Sequence, residues 1–287
     1  MDLAVVASPP MQAPPSPPMQ PALSPAPPHA PSQSSAPVPV RAPRTTEPNA
    51  VLVARIDLTP SMAIFRIRPD GPVPPFEPGQ YLTLGVTVDG RYICRPYSTS
   101  SPAGATHELE FLIRLVPGAS FTPLLWALPH GARLRLGPPK GLFRTDPGDI
   151  RTHLFVATGT GLAPFVSMVR SSTVSPRPRR SIVVHGVSRM AELAYRDELG
   201  GLARTRPDLE YRPVLSRAPT GLGGTWHGDT GRLDTALGPI CDELALDPDD
   251  LVAYICGNPG MIASVEALMV ARGLPAAAIR SEGYWVP

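Results

Sequence analysis

The chain has 287 residues, 43% hydrophobic and 17% charged, a composition typical of a globular protein of about two domains. Its three cysteines, Cys94, Cys241 and Cys256, include no Cys-x-x-Cys pair, which excludes a fused iron–sulfur domain. Their number and wide spacing also argue against a disulfide framework. The net charge of +2 argues by itself neither for nor against nucleic acid, and no residue pattern predicts a metal site.

Residues 1–45 predict a proline-rich arm that stays disordered or acts as a tether. They hold 14 of the 40 prolines, and such a composition buries too little apolar surface to offset chain entropy. The apolar run LAVVA is too short for a secretory signal, and no run approaches the roughly 18 apolar residues that a membrane span needs. We therefore expect a cytoplasmic protein without membrane insertion.

Residues 46–148 predict an antiparallel barrel of six short strands. Apolar residues alternate with period two in VLVARIDL, MAIFRIRP, QYLTLGV, RYICRPYS, ELEFLIRLV and ARLRLGPP, with turn clusters between most of the runs. The segment FTPLLWAL, after Ser120, predicts one helix inside this region. On this pattern alone, the region could equally be a small binding barrel without chemistry.

Residues 149–287 predict an α/β domain with a parallel sheet. Apolar strands such as THLFVAT, SIVVHGV and LVAYICG alternate with helical segments, among them MAELAYRDELGGL at 190–202. In such a fold, ligands bind beyond the carboxyl ends of the strands, where the loops GTG, HGV, SRA and CGN fall.

Two of these loops have glycines between a buried strand and a helix. In ATGTGLAP and ICGNPGM, the glycines let a phosphate-bearing ligand approach backbone N–H groups, although the same turns also serve only to pack a helix on a strand. A Ser-Arg pair, Ser216 and Arg217, and the nearby Arg232 could clamp a phosphate. Arginine makes up 25 of the 26 basic residues, so each arginine taken alone could also be a solvated surface residue.

Five ordered motifs together resemble a known family. They are RPYS at 95–98, GTGLAP at 159–164, HGV…ELAY at 185–195, CGNPGM at 256–261 and EGYW at 282–285. The chain is similar over about residues 50–285 to the ferredoxin–NADP+ reductase family, and within it to the bacterial ferredoxin/flavodoxin reductase branch. The proline-rich arm lies outside the resemblance.

The resemblance implies that FAD lies against the RPYS segment. Arg95 would meet the FAD pyrophosphate, Tyr97 would stack on one face of the isoalloxazine, and Ser98 would approach its N5 region. Tyr284 matches the terminal aromatic that covers the other face. The remaining FAD residues that the resemblance implies are Pro96, Arg114, Ser120, Thr122, Thr160 and, near the adenosine, Trp285.

A second set of residues is implied for NADP. Arg217 and Arg232 match the family's phosphate-binding arginines. The chain departs from the branch where Ser188 replaces an arginine, which is displaced to Arg189. We therefore expect NADPH to be favoured over NADH, although less firmly than with all three arginines. The full set implied for NADP is Gly159, Gly161, Ser188, Arg189, Ser216, Arg217, Arg232, Gly257, Asn258 and Met261.

The implied reaction exchanges electrons between one two-electron carrier and two one-electron carriers. NADPH would deliver hydride to N5 of FAD, and single electrons would pass to ferredoxin or flavodoxin. The residues implied at the reacting centre are Ser98, Cys256, Glu282 and Tyr284, although Cys256 could equally be a small buried hydrophobe. We expect a monomer with no nucleic-acid partner.

Two alternatives stay open on the sequence. The same fold and motifs serve the reductase component of an oxygenase system or a free flavin reductase. A non-enzymatic regulatory subunit could bind FAD through RPYS and contact a partner through its proline-rich arm. The CGNPGM loop with Arg217 and Arg232 argues against this second alternative, because such a subunit needs no nicotinamide site.

Overall fold

The computed structural model describes residues 45–171, 180–218 and 226–284. The predicted proline-rich arm, apart from its last residue Thr45, lies outside the described residues. Among the described residues, no helix is both long enough and apolar enough to cross a membrane.

The first half of the described chain is a six-stranded antiparallel sheet, as predicted. Its strands run in the order β4-β3-β6-β1-β2-β5, and every pairing is antiparallel. One short helix, α1 (Thr122–Ala127), follows β5. The strands are β1 (Ala50–Thr59), β2 (Met62–Pro69), β3 (Tyr81–Val88), β4 (Arg91–Ser98), β5 (Leu109–Arg114) and β6 (Arg133–Leu136).

Side chains at alternate positions of these strands form the apolar interior of this half. Leu52, Phe65, Leu82 and Phe111 are fully buried and belong to a single apolar cluster that also takes in Phe121, just before α1. Burial of one face of each strand explains why period two in the sequence predicted the fold.

The second half is a parallel sheet in the order β10-β9-β8-β7-β11-β12, again as predicted. Apolar clusters cover the two faces of the sheet, which is why the central strands are apolar at nearly every position. The elements are β7 (Thr152–Thr158), α2 (Ala163–Ser171), β8 (Ser181–Val187), α3 (Arg196–Thr205), β9 (Leu209–Leu215), β10 (Asp229–Thr230), α4 (Leu233–Glu243), β11 (Leu251–Gly257), α5 (Pro259–Ala271) and β12 (Ile279–Gly283).

The prediction of one continuous helix over 190–202 is wrong. A single 3-10 turn spans Met190–Glu192, and α3 begins only at Arg196. Between them, Tyr195 adopts a left-handed backbone conformation with φ of 56°. Around the break, Leu193 belongs to one apolar cluster and Tyr195 packs against another.

The hydroxyl-rich segment after β4 joins the two halves. The hydroxyl of Thr99 donates to the Glu110 carbonyl at 3.0 Å, and Ser101 Oγ accepts from the Glu110 N–H at 2.8 Å. From the second half, Ser167 on α2 donates to the Ser101 carbonyl at 2.6 Å. These buried hydroxyls therefore replace strand pairing where the barrel meets α2.

Arg170 on α2 forms the charged part of the same interface. Its guanidinium donates to the Ser100 carbonyl and to Glu110, both at 2.9 Å, and to Glu198 on α3 at 2.7 Å. The guanidinium also lies 4.9 Å from the ring centroid of Tyr195. Arg170 thus connects the barrel to two helices of the parallel-sheet half.

Candidate functional site

A cavity of about 460 Å³ runs along the end of β4, and we call it the barrel cavity. The RPYS segment supplies one wall, and the loop before α1 and the end of β12 supply others. The predicted FAD residues that line it are Arg95, Pro96, Tyr97, Ser98, Arg114, Ser120, Thr122, Thr160 and Tyr284. Trp285 lies outside the described residues.

Arg95 is held in the barrel cavity by neutral oxygens. Its guanidinium donates to Ser120 Oγ at 2.7 Å and to the Cys94 carbonyl at 2.8 Å. Among the described residues, no carboxylate lies within ion-pair distance of it. The side chain is exposed, so its charge and its other N–H groups are available to an anion.

Tyr97 presents a fixed aromatic surface next to Arg95. Its ring packs on Phe121 with centroids 5.8 Å apart and an interplanar angle of 33°. Burial raises the pKa of the Tyr97 phenol well above its usual value, so the ring stays neutral. A flat apolar group can stack on such a surface.

Thr122 acts through the loop that precedes α1. Its hydroxyl accepts from the Val116 N–H at 3.0 Å and donates to the Val116 carbonyl at 3.3 Å. These two bonds close the loop that carries Ser120, the partner of Arg95. The hydroxyl is engaged within the protein, and a direct contact to a pyrophosphate stays a prediction.

Of the four residues predicted at the reacting centre, Ser98, Glu282 and Tyr284 line the barrel cavity, and Cys256 is buried next to Tyr284. Ser98 Oγ donates to Glu282 Oε1 at 3.2 Å, and burial raises the pKa of that carboxyl. Burial also raises the pKa of the Cys256 thiol, which keeps it protonated. The Tyr284 N–H donates to the Gly257 carbonyl at 3.0 Å, which anchors the backbone at Tyr284 beside β11.

The Tyr284 hydroxyl is buried and has no hydrogen-bond partner among the described residues. A buried hydroxyl without a partner is costly unless another molecule satisfies it or displaces it. An unpaired guanidinium at one end, a stacking ring beside it and polar groups at the other end suit a flat group that carries phosphates. The residues present therefore fit FAD.

A second cavity of about 480 Å³ lies at the carboxyl edge of the parallel sheet, and we call it the dinucleotide cavity. Of the residues predicted for NADP, those that line it are Gly159, Ser188, Ser216, Arg232, Gly257, Asn258 and Met261. Gly161, Arg189 and Arg217 do not line it. Both arginines are exposed, and the Arg217 backbone N–H donates to the Ser188 carbonyl at 2.9 Å.

Two of the residues predicted for NADP have a structural role in the loops, one through close backbone packing and one as a helix cap. A Cβ on Gly161 would collide with the Cys256 carbonyl, so the glycine lets the loop after β7 pack on β11. Asn258 caps α5, because its side chain accepts from the Gly260 N–H at 2.9 Å and from the Met261 N–H at 3.3 Å. These contacts shape the cavity wall.

His185 contacts the GTG loop, and the sequence patterns did not predict this role. Its Nε2 lies 3.1 Å from the Gly159 carbonyl, which can only accept, so Nε2 carries the proton. The Tyr211 hydroxyl then donates to Nδ1 at 3.3 Å. Burial lowers the pKa of His185 to about 4, which keeps the ring neutral. Its place within the HGV motif, at the end of a buried strand, was the available signal.

The two cavities meet, since Arg114, Thr160 and Tyr284 line both of them. Tyr284 stands at the junction, next to Cys256 and Glu282. A ligand in one cavity can therefore meet a ligand in the other where Arg114, Thr160 and Tyr284 lie.

Comparisons with known proteins agree with this architecture. An oxidoreductase FAD-binding domain matches residues 49–145, and an oxidoreductase NAD-binding domain matches residues 155–267. Ferredoxin–NADP reductase B of Sorangium cellulosum (strain So ce56) is 33% identical over 220 residues, covering 76% of this chain and 88% of the relative. The reductase component of the naphthalene 1,2-dioxygenase/salicylate 5-hydroxylase systems of Ralstonia sp is 31% identical over 73% of this chain and 61% of its own.

A solved structure gives the same result for the fold. The ferredoxin NADP+ reductase from Neisseria gonorrhoeae, determined with bound FAD and NADP, is similar with a TM-score of 0.72 and 25% identity. The similarity covers 83% of this chain and 98% of that one. With its FAD-binding and NAD-binding domains and a relative that it matches over most of its length, this chain is an oxidoreductase that belongs to the ferredoxin–NADP+ reductase family.

Proposed function

We propose that the protein is a ferredoxin/flavodoxin–NADP+ reductase, which exchanges electrons between NADPH and ferredoxin or flavodoxin through FAD. The observation that carries the proposal is the junction of the two cavities at Tyr284, which has Ser98, Cys256 and Glu282 as neighbours. Two ligands must meet there for electrons to pass between them. We also propose domain limits of 46–148 and 149–287, since the pairing changes from antiparallel to parallel between β6 and β7.

In the barrel cavity, the proposed roles follow from the contacts of each side chain. Arg95 binds the pyrophosphate, because its charge is not paired with a carboxylate, and Ser120 orients the guanidinium. Tyr97 supplies the stacking surface. FAD, when bound, supplies the exchange between a two-electron and a one-electron carrier.

In the dinucleotide cavity, Ser188, Ser216 and Arg232 supply hydroxyls and a guanidinium for the coenzyme phosphate. Arg189 and Arg217, both exposed, flank Ser188 and Ser216 and would have to turn inward to contribute. The GTG loop, supported by His185, supplies backbone N–H groups.

At the junction, the chain's own residues orient ligands and exclude water. Tyr284 closes the passage between the cavities and must move before a nicotinamide can enter. The Ser98 hydroxyl is held by Glu282 at 3.2 Å, which fixes its direction. The Cys256 thiol stays protonated and fills space, so no covalent step is assigned to it.

A second candidate is the reductase component of an oxygenase system, favoured by the similarity to the Ralstonia protein. The two candidates share the fold and differ in the electron acceptor. The cytoplasmic location and the monomeric state stay predictions.

The test is an anaerobic titration of the purified holoprotein with NADPH, followed by electron transfer from the reduced protein. Bleaching of the bound flavin with transfer to ferredoxin or flavodoxin supports the proposal. Transfer only to an oxygenase component or to free flavin supports the alternative. A flavin that neither NADPH nor NADH bleaches would contradict both and favour the non-enzymatic FAD-binding subunit.

A further inference from the structure

Both arginines that line the dinucleotide cavity are already paired with carboxylates. Arg114 Nη1 lies 3.7 Å from Glu192 Oε1, and Arg232 Nη2 lies 3.2 Å from Asp234 Oδ2. These four are the charged side chains among the described residues of the lining, so two positive and two negative charges cancel. A cavity proposed for a ligand with several negative charges is therefore electrically neutral.

The two carboxylates are engaged to different degrees. Glu192 has a structural role, because its Oε2 accepts from the Ser188 N–H at 3.0 Å and so closes the loop after β8. Asp234 lies in the first turn of α4, and only its Oδ2 is used, by Arg232. Asp234 Oδ1 is buried without a hydrogen-bond partner among the described residues. Asp234 itself lines the cavity, so its carboxylate lies close to any ligand that contacts Arg232.

Arg232 itself is only loosely held. Its side chain is 75% exposed, and its contacts to Asp234 are 3.2 and 3.3 Å long. A phosphate that approaches Arg232 has to share the guanidinium with the Asp234 carboxylate and is repelled by it. A hydroxyl at the same place meets no such repulsion and can donate to the Asp234 carboxylate.

We propose that Asp234 is a residue that sets coenzyme preference, by weakening the binding of the 2′-phosphate of NADPH and accepting a ribose hydroxyl of NADH. The proposal rests on the proposed function, which assigns the dinucleotide cavity to the coenzyme. It predicts an enzyme that distinguishes NADPH from NADH less sharply than its arginines suggest.

The experiment replaces the carboxylate by its amide, Asp234→Asn, in the full-length holoprotein. Calorimetry measures the Kd of two probes that differ only by the 2′-phosphate, adenosine 2′,5′-bisphosphate and 5′-AMP. We expect the bisphosphate to bind about three- to fivefold more tightly to Asp234→Asn than to the wild type, because the variant lacks one partly solvated negative charge. The affinity for 5′-AMP should be unchanged or weaker. The ratio of KM for NADH to KM for NADPH should rise in parallel.

The matched control is Asp242→Asn, which removes another aspartate of α4 that pairs with an arginine, Arg272, away from the cavity lining. The control should leave the probe ratio as in the wild type. If Asp234→Asn is not stably folded, Asp234→Ser provides the same comparison. An unchanged ratio of the two probes, with normal bleaching of the flavin by NADPH, overturns the role of Asp234 and leaves the proposed function intact. A wild-type flavin that NADPH does not bleach contradicts the proposed function instead.

Discussion

The barrel cavity and the dinucleotide cavity share Arg114, but the arginine that lines each cavity alone is held differently. In the barrel cavity, Arg95 is oriented by a hydroxyl and a carbonyl, and its charge has no carboxylate partner among the described residues. In the dinucleotide cavity, Arg114 and Arg232 are each paired with a carboxylate. An unpaired guanidinium binds a phosphate with its full charge, whereas a paired one must first give up a contact.

This difference matches the tasks proposed for the two cavities. A cofactor such as FAD stays bound over many turnovers, while a coenzyme has to leave after each one. Arginine can therefore serve both for retention of FAD and for exchange of the coenzyme, depending on whether a carboxylate is paired with it.

The largest effect is expected at the interface that holds the two cavities together. We predict that Arg170→Met lowers the free energy of unfolding by about 3 kcal/mol, because Glu110 and Glu198 lose a mostly buried partner. Urea denaturation of the holoprotein measures this change. The variant should also slow the reduction of the flavin by NADPH.

The control for this prediction is Arg212→Met. Arg212 is as buried as Arg170 and pairs with Asp229 and Glu243, but all three lie in the parallel-sheet half. Arg212→Met should lower the free energy of unfolding, but the folded variant should reduce its flavin at the wild-type rate. Equal reduction rates in the two variants would show that Arg170 does not align the cavities.

The next effect tests the unpaired arginine directly. Arg95→Ala should raise the Kd for FAD by about ten- to 100-fold, since it removes a charge-assisted hydrogen bond worth roughly 1.5–3 kcal/mol. Fluorescence of released flavin on dilution measures the Kd. The control is Arg91→Ala, an exposed arginine at the start of the same strand that does not line the cavity. Tightly bound FAD in Arg95→Ala would mean that RPYS does not bind the pyrophosphate.

A somewhat smaller effect is expected from acid on the dinucleotide side. In the unfolded chain, histidine takes up a proton below about pH 6.5, whereas buried His185 does so only near pH 4. The unfolded state therefore binds more protons in this window, and stability falls as the pH drops from 6.5 towards 4. At pH 5, the loss due to His185 should be about 2 kcal/mol.

Unfolding free energies at pH 7 and pH 5 test this prediction. His185→Gln, which keeps a donor for the Gly159 carbonyl, should be less sensitive to acid than the wild type. The variant His107→Gln, at an exposed position, should keep the wild-type dependence. An identical acid sensitivity in all three proteins would rule out His185 as its source.

The smallest effect concerns the ring at the junction. Tyr284→Ser should tighten NADP+ binding by about fivefold, because the nicotinamide no longer competes with an intramolecular ring. A spectral titration should show a stronger flavin–nicotinamide perturbation than in the wild type. Tyr284→Phe keeps the ring and should behave as the wild type does. An unchanged spectrum in Tyr284→Ser would mean that the ring does not occupy the nicotinamide's place.

The sequence by itself determined the two sheets and the family of this protein. Period two before Phe143 and apolar strands after Asp149 report burial on one face or on both faces, and burial is a local pattern that the chain shows directly. The motifs RPYS, GTGLAP and CGNPGM pointed to Arg95, Tyr97 and the glycine loops, and these line the two cavities. Local patterns did not reveal the break at Tyr195, because burial against Glu110 and α2 decides it.

Only the tertiary structure decided which charged groups touch. Arg170 meets Glu110, 60 residues away, and His185 meets Gly159, 26 residues away. Glu192 and Asp234 neutralise two arginines of the dinucleotide cavity, and only one of those pairs is close in sequence. Electrostatic interactions depend on distance in space and on burial, and the order of residues along the chain specifies neither. The sequence therefore supplied the arginines, and the fold decided which of them are available to bind a phosphate.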